Sequence, residues 1–364
     1  MPTLEEIRQK IDAIDREMAA LFEQRMAIAA DVASYKKQNS LPVLDAGREK
    51  AVVQKNLAFL QNAALAPYYT DFICQVMTSS RQYQTQLLGQ NTVAYQGAEG
   101  GFGHQVALAL YPNAEFAAEA TFGSVFDAVE EGRAAFGIVP FENSTTGDVS
   151  GVLDLCYSHR CYVAAMYDLP VTQNLLGLPG SDLTGVKTVV SHVQALEQCQ
   201  RFLANLGAAQ LPFANTALAA KYVAETGDAS VAAIASLDAC ERYGLVPLVK
   251  DIATEAGNTT RFIVISREAP RGEGSKFSLL FTVENLVGRL ARVIAAIAAE
   301  GFDMESIKSR PMPQNPWQYY FYTELVGAPS SQQAEALLAK LREVCLSVRI
   351  LGVYNRIAPA TSQM

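Results

Sequence analysis

The first 37 residues set the strongest constraint on what this chain can fold into. Apolar residues recur there in steps of three and four, as one face of a single long helix requires: Leu4, Ile7, Ile11, Ile14, Met18 and Leu21. A helix from about Thr3 to Lys37 would be roughly 50 Å long at 1.5 Å per residue. A helical unit of about 85 residues is too small to cover that length by itself. We therefore expect two copies of the chain to pair through this helix.

Two cations follow on this helix. The next step after Leu21 falls on Arg25, and Lys36 lies about three turns further on, so the two side chains share a face to within roughly 20°. Cations directed at an apolar interior need an anion to meet them. One interpretation is that Arg25 sets the register by pairing with a glutamate of a partner helix; the other is an anionic ligand. Arg8 lies about 100° away around the helix, so it would reach such a pocket only from the other chain.

Composition excludes several classes of function. The chain has 364 residues, which predicts two or three domains, and a net charge of −8 with no basic stripe, which argues against nucleic acid. No apolar run reaches membrane-spanning length, and the first ten residues are polar, so we expect a cytoplasmic protein with no membrane partner. The six cysteines and three histidines show no metal-ligand spacing, so we expect free thiols and no metal.

The chain changes character twice along its length. Residues 1–88 carry helical periodicity, residues 92–267 alternate β-rich runs with helical stretches, and residues 276–356 read as strand, helix, strand, strand, helix, strand. A linker rich in proline, glycine and charge separates the last two segments. The sequence therefore predicts a multidomain fold: an all-α helical module, an α/β core and a ferredoxin-like α+β module.

The helical module resembles the all-helical chorismate mutase family. The resemblance rests on these residues: Arg8-Gln-Lys-Ile-Asp-Ala-Ile-Asp, Arg25, Lys36, Pro42-Val-Leu-Asp45-Ala-Gly-Arg48-Glu49 and Ser80-Arg-Gln-Tyr-Gln84. It implies that the arginines bind the two carboxylates of chorismate, with Asp45 in the same substrate-binding set. Lys36 and Gln84 would donate to the ether oxygen, and Glu49 and Ser80 would lie on the ring-hydroxyl side. Such a pericyclic rearrangement needs a folded dianion and charge relief on the breaking C–O bond, and no acid, base or nucleophile.

Polar clusters follow or precede strands in the α/β segment. The run Gly97-Ala-Glu-Gly-Gly-Phe-Gly103 after a short strand fails as a dinucleotide fingerprint. It is either an ordinary tight turn or an anion cradle at a helix N-terminus. Three further clusters lie at strand ends: Glu142-Asn143-Ser144-Thr145-Thr146, Ser191-His192-Val193-Gln194 and Asn258-Thr259-Thr260-Arg261-Phe262. Each alone could be helix capping. Together, on an α/β scaffold, they favour a polar cleft between lobes.

These three clusters, in this order, resemble the motifs of the prephenate dehydratase family. The resemblance implies a two-lobed core in which Thr260 donates a hydrogen bond to the departing hydroxyl of prephenate and Arg261 holds carboxylates. The remaining pocket residues would be Asn143, Ser144, Thr145, Ser191, His192 and Gln194. Three positions depart from the family pattern: Gly103 replaces a serine or threonine, Gln173 a histidine, and Val193 a proline.

The last segment resembles an ACT domain, a module that senses amino acids. In dehydratases two motifs of this module shape a phenylalanine site at a dimer interface. The corresponding residues here are Gly288-Arg289-Leu290 and Lys308-Ser309-Arg310-Pro311. The resemblance implies effector contacts from Gly288, Leu290, Ser309, Arg310 and Pro311, with Arg289 and the charge-reversing Lys308 expected to alter phenylalanine binding.

The sequence as a whole predicts a cytoplasmic, dimeric, bifunctional enzyme without cofactors. It would convert chorismate to prephenate and then to phenylpyruvate in phenylalanine biosynthesis, with feedback by phenylalanine. Two alternatives stay open at this point. The mutase could be active while the dehydratase is impaired, or the chain could be a non-catalytic amino-acid sensor.

Overall fold

The computed structural model describes residues 3–39, 46–87, 92–255, 257–269, 274–312, 317–327 and 331–358. The chain divides into two units, residues 1–91 and residues 92–364. No helix in these described ranges is long and apolar enough to cross a membrane.

The described residues of the first unit form three α-helices, α1 (Leu4–Gln38), α2 (Ala46–Leu57) and α3 (Ala66–Leu87), with a short 3-10 turn (Ala63–Leu65) before α3. A reciprocal cap begins α1, because the Thr3 hydroxyl accepts from the Glu6 backbone N–H at 3.2 Å and the Thr3 N–H donates to the Glu6 carboxylate at 2.7 Å. Helix α3 packs against both α1 and α2. The buried apolar residues of this small core are Ala29, Ala33, Ile73 and Met77.

The described residues of the first unit leave the apolar face of the N-terminal half of α1 uncovered. Its six apolar side chains, Leu4 to Leu21, are 43–64 % exposed. The long helix is as predicted, and the first unit does not supply the residues that would bury this face.

The second unit contains sixteen strands among its described residues. They are β1 (Thr92–Gln96), β2 (Glu115–Glu119), β3 (Phe136–Asn143), β4 (Gly147–Asp148), β5 (Tyr162–Pro170), β6 (Asn174–Gly177), β7 (Thr188–His192), β8 (Ala209–Phe213), β9 (Val231–Ala235), β10 (Val246–Val249), β11 (Thr259–Ser266), β12 (Lys276–Thr282), β13 (Asp303–Pro311), β14 (Tyr319–Val326), β15 (Ser347–Tyr354) and β16 (Arg356–Ile357).

Nine helices accompany these strands in the described ranges. They are α4 (Phe102–Leu110), α5 (Phe122–Glu130), α6 (Val152–Ser158), α7 (Val193–Gln198), α8 (Gln200–Leu206), α9 (Thr216–Thr226), α10 (Leu237–Arg242), α11 (Arg289–Ala299) and α12 (Ser331–Val344).

Two sheets form the two lobes of the α/β core, as the sequence predicts. The first lobe has the strand order β16-β5-β11-β3-β1-β2, with β4 paired to β3, and the second has the order β10-β6-β9-β7-β8. The chain enters the second lobe between β5 and β6 and returns between β10 and β11. Strand β11 then pairs antiparallel with both β3 and β5. Its start therefore lies beside the end of β3, next to both connections between the lobes.

The last module has the predicted ferredoxin-like order, with an antiparallel sheet β13-β14-β12-β15. One face of this sheet packs against α11 and α12 around Phe277, Leu279, Val293 and Leu337. The other face covers the sheet of the first lobe, and its apolar side chains join the core of that lobe: Leu280, Tyr320, Tyr322, Leu351 and Tyr354.

Two features join this module closely to the first lobe. Strand β16 leaves the module and pairs with β5. Gly352 in β15 lies so close to β5 that a Cβ atom there would be 2.0 Å from the Val163 carbonyl oxygen. Only glycine allows this backbone contact.

Candidate active sites

A cavity of about 320 Å³ lies between the three helices of the first unit. Several of the predicted mutase residues come together on its wall: Arg25, Lys36, Arg48, Glu49, Ser80 and Gln84. Apolar side chains complete the lining: Ile28, Ala29, Val32, Val52 and Met77. The cations of the long helix therefore face a polar cavity rather than a hydrophobic core.

Three of these polar side chains form a line of hydrogen bonds. Lys36 Nζ donates to Gln84 Oε1 at 3.4 Å, and Gln84 Nε2 donates to Ser80 Oγ at 3.4 Å. Gln84 and Ser80 are both buried. This line holds an ammonium group at the cavity wall, where it can meet a developing negative charge.

A further arginine of this cavity was not selected from the sequence. Arg81 forms an ion pair with Glu49 and donates to Thr78 Oγ1 at 2.9 Å. The spacing in the sequence could have indicated Arg81, because it precedes Gln84 by three residues on α3 and so shares its face. Arg25 is half-buried and donates to the Val76 carbonyl at 3.5 Å.

Two predicted residues are not among those that line this cavity. Arg8 is exposed on α1, seventeen residues before Arg25 and therefore about 25 Å away along the helix. A side chain cannot span that distance within one chain. Asp45 lies outside the described residues.

A second, larger cavity of about 590 Å³ lies at the junction of the two lobes of the α/β core. It collects strand ends, as expected for an α/β scaffold. Gln96 ends β1, Asn143 ends β3, His192 ends β7, and Thr260 lies at the start of β11. The glycine run after β1 also lines it, with Gly97, Gly101 and Gly103.

Helix N-termini lie at this cavity and present partial positive charge to it. Residues at the start of α4 and of α9 line it. Gly101 precedes α4 without a side-chain cap, and a Cβ at this position would lie 2.9 Å from the Ala98 carbonyl oxygen. Lysine and arginine are absent from the described residues that line the cavity. An anion bound here would meet backbone N–H groups rather than side-chain cations.

The Thr260 hydroxyl has a defined hydrogen-bond partner. Asn143 is buried, and its Nδ2 donates to Thr260 Oγ1 at 2.9 Å. Asn143 Oδ1 accepts from the backbone N–H groups of Thr145 and Thr146 at 3.0 and 3.1 Å. Because a backbone N–H can only donate, the orientation of the Asn143 amide is fixed.

Two predicted residues of the second lobe also line the cavity. His192 caps α7 by accepting from the Gln194 backbone N–H at 3.3 Å. Gln194 Nε2 reaches across to the first lobe and donates to Thr146 Oγ1 at 3.1 Å. Thr146, which was not in the predicted set, thus joins the two lobes.

Three other predicted residues lie outside the cavity lining. Ser144 Oγ accepts from the Thr259 backbone N–H at 2.9 Å, and Thr145 Oγ1 donates to Asn143 Oδ1 at 2.6 Å. Ser191 is fully buried and donates to the Ile234 carbonyl at 2.7 Å. These hydroxyls hold the backbone around the site and do not face the cavity.

The expectation that Arg261 holds substrate carboxylates does not agree with its position. Side chains alternate along a strand, and Thr260 and Phe262 line the cavity, so Arg261 points to the opposite face of β11. There it pairs with Glu142 at 3.0 Å and Asp168 at 3.1 Å. Burial alone would lower the pKa of Arg261, but the hydrogen bond and charge of Asp168, together with the charges of Glu324 and Glu142, outweigh burial and raise the pKa. Glu142 and Asp168 therefore already balance the charge of Arg261.

Buried amides of the cavity were missed from the sequence. Asn258 and Gln173 are buried, and Gln198 is half-buried; all three line the cavity. Asn258 belonged to the third polar cluster, and Gln173 was noticed only as a departure from the family pattern. Neither a repeat nor a motif spacing in the sequence links them.

The predicted effector residues lie at the start of α11 and in strand β13. Gly288 is the N-cap of α11, with φ +81° and open space around it, and Leu290 packs against the core beneath α11 and α12. Ser309 and Pro311 are exposed on the edge strand β13. Arg310 pairs instead with Asp154 at 2.7 Å, and this bond keeps the pKa of the Asp154 carboxyl below its usual value.

Lys308 does not take the position expected from the effector motif. A bulge between Met304 and Ser306 sets the alternation of β13, and Lys308 faces the first lobe. Its ammonium pairs with Glu142 at 2.9 Å and also contacts Asp148. The reversed charge is therefore matched by carboxylates of the α/β core, one of which, Asp148, lines the large cavity. Arg289 pairs with Glu284 at 2.6 Å.

Two separate polar cavities and an attached ferredoxin-like module define a multidomain enzyme with two sites. Comparison with known proteins gives the families. Residues 7–85 match chorismate mutase type II, residues 93–270 match prephenate dehydratase, and residues 277–343 match the ACT domain.

A relative that matches over nearly its whole length is named for the first two of these families. A bifunctional chorismate mutase/prephenate dehydratase of Aquifex aeolicus is 31 % identical over 98 % of this chain and 99 % of its own. The chain therefore belongs to the bifunctional chorismate mutase/prephenate dehydratase family.

Solved structures agree with this for the second unit. A prephenate dehydratase of Arthrobacter aurescens in complex with L-Phe has a TM-score of 0.66 and 29 % identity, and the match covers 73 % of this chain and 90 % of that one. A quorum-quenching acylase, GqqA, has a TM-score of 0.67 and 29 % identity, covering 73 % and 98 %. Because one fold can carry different chemistries, the function has to be argued from the sites.

Proposed function

We propose that the helical cavity binds chorismate and rearranges it to prephenate. Lys36 and Gln84 would lie at the ether oxygen, and the ammonium of Lys36 would stabilise the negative charge that develops as the C–O bond breaks. Arg25 and Arg48 would bind carboxylates, and Glu49 and Ser80 would face the ring hydroxyl. The line from Lys36 through Gln84 to Ser80 supports this assignment, because it places a cation, an amide and a hydroxyl together on one cavity wall.

We propose that the larger cavity converts prephenate to phenylpyruvate, with loss of carbon dioxide and water. Aromatisation drives this reaction, so the protein needs to hold the dianion and help the hydroxyl leave. The observation that carries this proposal is the hydrogen bond from Asn143 to Thr260. Since Thr260 Oγ accepts from Asn143, its own proton is left to donate, and the departing hydroxyl is the fitting acceptor. The carboxylates would lie at the starts of α4 and α9.

We further propose that two chains pair through α1 and share their mutase sites. The uncovered apolar face of α1 supports this, because six apolar residues at 43–64 % exposure need a partner. Arg8, about 25 Å from Arg25 on the same helix, would then reach the cavity of the other chain.

Complementation tests this shared site. Arg8→Ala and Arg25→Ala homodimers should each lose mutase activity by about 10²-fold or more, since each lacks one carboxylate-binding cation. A mixed dimer that carries one chain of each should regain activity at one of its two sites, up to about half that of wild type. Mutase rates of heterodimers purified with two different tags measure this. Heterodimers as inactive as both parents would rule out the cross-chain site.

Phenylalanine is the proposed effector of the ACT module. The module matches the ACT family, and the related Arthrobacter structure contains L-Phe. Gly288, Leu290, Ser309 and Pro311 would contribute to the site, whereas Arg310 would act by holding β13 to Asp154. We place the enzyme in the cytoplasm, in phenylalanine biosynthesis.

One experiment tests the whole assignment. Purified protein is supplied with chorismate, and chorismate loss and phenylpyruvate formation are followed separately, with and without phenylalanine. We expect both reactions, with phenylpyruvate formation reduced by phenylalanine. Chorismate loss with accumulation of prephenate would favour the mutase-only alternative. Phenylalanine binding without either reaction would favour a sensor.

A further inference from the structure

Four side-chain amides join the two lobes at the base of the larger cavity. Asn143 Nδ2 donates to Asn258 Oδ1 at 2.7 Å, and Asn258 Nδ2 donates to Gln198 Oε1 at 3.3 Å. Gln173 Nε2 donates to the same Gln198 oxygen at 3.1 Å. Asn143 and Asn258 belong to the first lobe, Gln198 ends α7 of the second lobe, and Gln173 lies in the connection between them. We call these four residues the amide relay.

The direction of every bond in the amide relay follows from two backbone groups. The N–H groups of Thr145 and Thr146 can only donate, so the Asn143 atom facing them is oxygen and its other atom is nitrogen. That nitrogen donates, so the facing atom of Asn258 is oxygen. The same step then fixes the orientations of Gln198 and Gln173 in turn.

The fixed orientation of the Asn143 amide also determines that a nitrogen faces the Thr260 hydroxyl. The two hydrogens of Asn143 Nδ2 have three acceptors in range: Asn258 Oδ1 at 2.7 Å, Thr260 Oγ1 at 2.9 Å and the Thr259 carbonyl at 3.3 Å. While Asn258 holds one hydrogen, the plane of the Asn143 amide directs the other to Thr260. Thr145 and Thr146 hold Asn143 Oδ1 through their backbone N–H groups and hydroxyls, so Asn258 controls only the Nδ2 side of this amide. Without Asn258, the hydrogen that it accepted would have the Thr259 carbonyl at 3.3 Å as its remaining acceptor, and Nδ2 would shift towards that carbonyl and away from the Thr260 hydroxyl.

Gln173 forms the other end of the amide relay and lines the cavity. Gln173 is 3 % exposed, and its Oε1 is buried without a hydrogen-bond partner among the described residues. The relay identifies this atom as an acceptor. A buried acceptor without a partner is costly, which is consistent with a site that is completed only when a donor is bound.

We infer that Asn258 is a positioning residue for the dehydratase reaction, which acts through Asn143 to keep the Thr260 hydroxyl a donor towards the substrate. This inference rests on the proposed dehydratase function. Asn258 does not itself deliver the proton. The effect of replacing Asn258 should therefore require the Thr260 hydroxyl. It should lower kcat rather than raise KM, since the hydrogen bond from Thr260 is used mainly in the transition state.

A double-mutant cycle tests this dependence. Asn258→Leu removes the amide at similar size and should lower kcat for prephenate by about 10-fold, with KM changed by less than about 3-fold. In a Thr260→Val background, Asn258→Leu should cause no further fall in kcat beyond about 2-fold, because the group it positions is gone.

The kinetics of these variants can contradict the positioning role of Asn258. Full additivity of the losses in the Thr260→Val background would show that Asn258 does not act through Thr260. If Asn258→Leu does not fold, Gln198→Met replaces it, because it removes the oxygen that holds Asn258 Nδ2, and the same fall in kcat and the same non-additivity are expected. A wild-type protein that forms no phenylpyruvate from prephenate overturns the proposed function and this role with it. An active wild type with additive losses overturns the positioning role alone.

Discussion

Thr260→Val should abolish most dehydratase activity while leaving the fold and the mutase intact. Valine keeps the shape of threonine and removes the hydroxyl that Asn143 orients into the cavity. Loss of one donor to a developing charge costs about 10²- to 10³-fold in kcat, so we expect a fall of this size with little change in KM for prephenate. Phenylpyruvate formation from prephenate measures it.

Thr259→Val is the matched control for this substitution. Thr259 precedes Thr260 on β11, but its hydroxyl donates to the Gly257 carbonyl and it is not among the residues that line the cavity. Its variant should turn over prephenate at nearly the wild-type rate. Normal turnover by Thr260→Val would exclude its hydroxyl from the mechanism.

Lys36→Ala should have the opposite selectivity and lose mutase activity while prephenate is still converted. Its ammonium lies 3.4 Å from Gln84 Oε1 on the wall of the helical cavity, and no other lysine is among the described residues that line it. Removing this charge from the ether oxygen should cost about 10²-fold or more in kcat for chorismate. Chorismate loss and prephenate turnover, measured on the same preparation, separate the two activities.

Lys55→Ala serves as the control, because Lys55 is an exposed residue of α2 outside the cavity lining. It should rearrange chorismate normally. Near-normal chorismate turnover by Lys36→Ala would show that the face of α1 that carries Lys36 is not catalytic.

Local periodicity was enough to predict most of the architecture. The steps of three and four that begin at Leu4 predict the long helix, and the alternation of strands and helices after residue 92 predicts the α/β core. The ferredoxin-like order was also predicted, and its second strand, β13, runs from Asp303 to Pro311. The polar stretch from Asp303 to Ser306 carries a bulge, which the two-residue period of a strand does not reveal.

The sequence was less informative about which way a side chain faces. Thr260 and Arg261 are neighbours in one motif, yet strand alternation sends Thr260 to the cavity and Arg261 to Glu142 and Asp168 on the other face. Lys308 likewise pairs with the core of the first lobe, which lies more than 150 residues away in the chain. Such partners depend on how two sheets pack, and a single sequence carries no local signal for that.

The contact between β15 and β5 affects how the proposed phenylalanine feedback could be removed. Strand β16 follows the ACT sheet in the chain but pairs with β5 in the catalytic sheet, and Gly352 lets the two sheets approach closely. Deleting the regulatory module would therefore remove an edge strand of the catalytic sheet and uncover the apolar side chains of Phe141, Val163 and Met166. A truncated dehydratase would be prone to aggregate. Feedback-resistant forms that stay soluble are therefore to be sought among substitutions near Gly288 and Ser309.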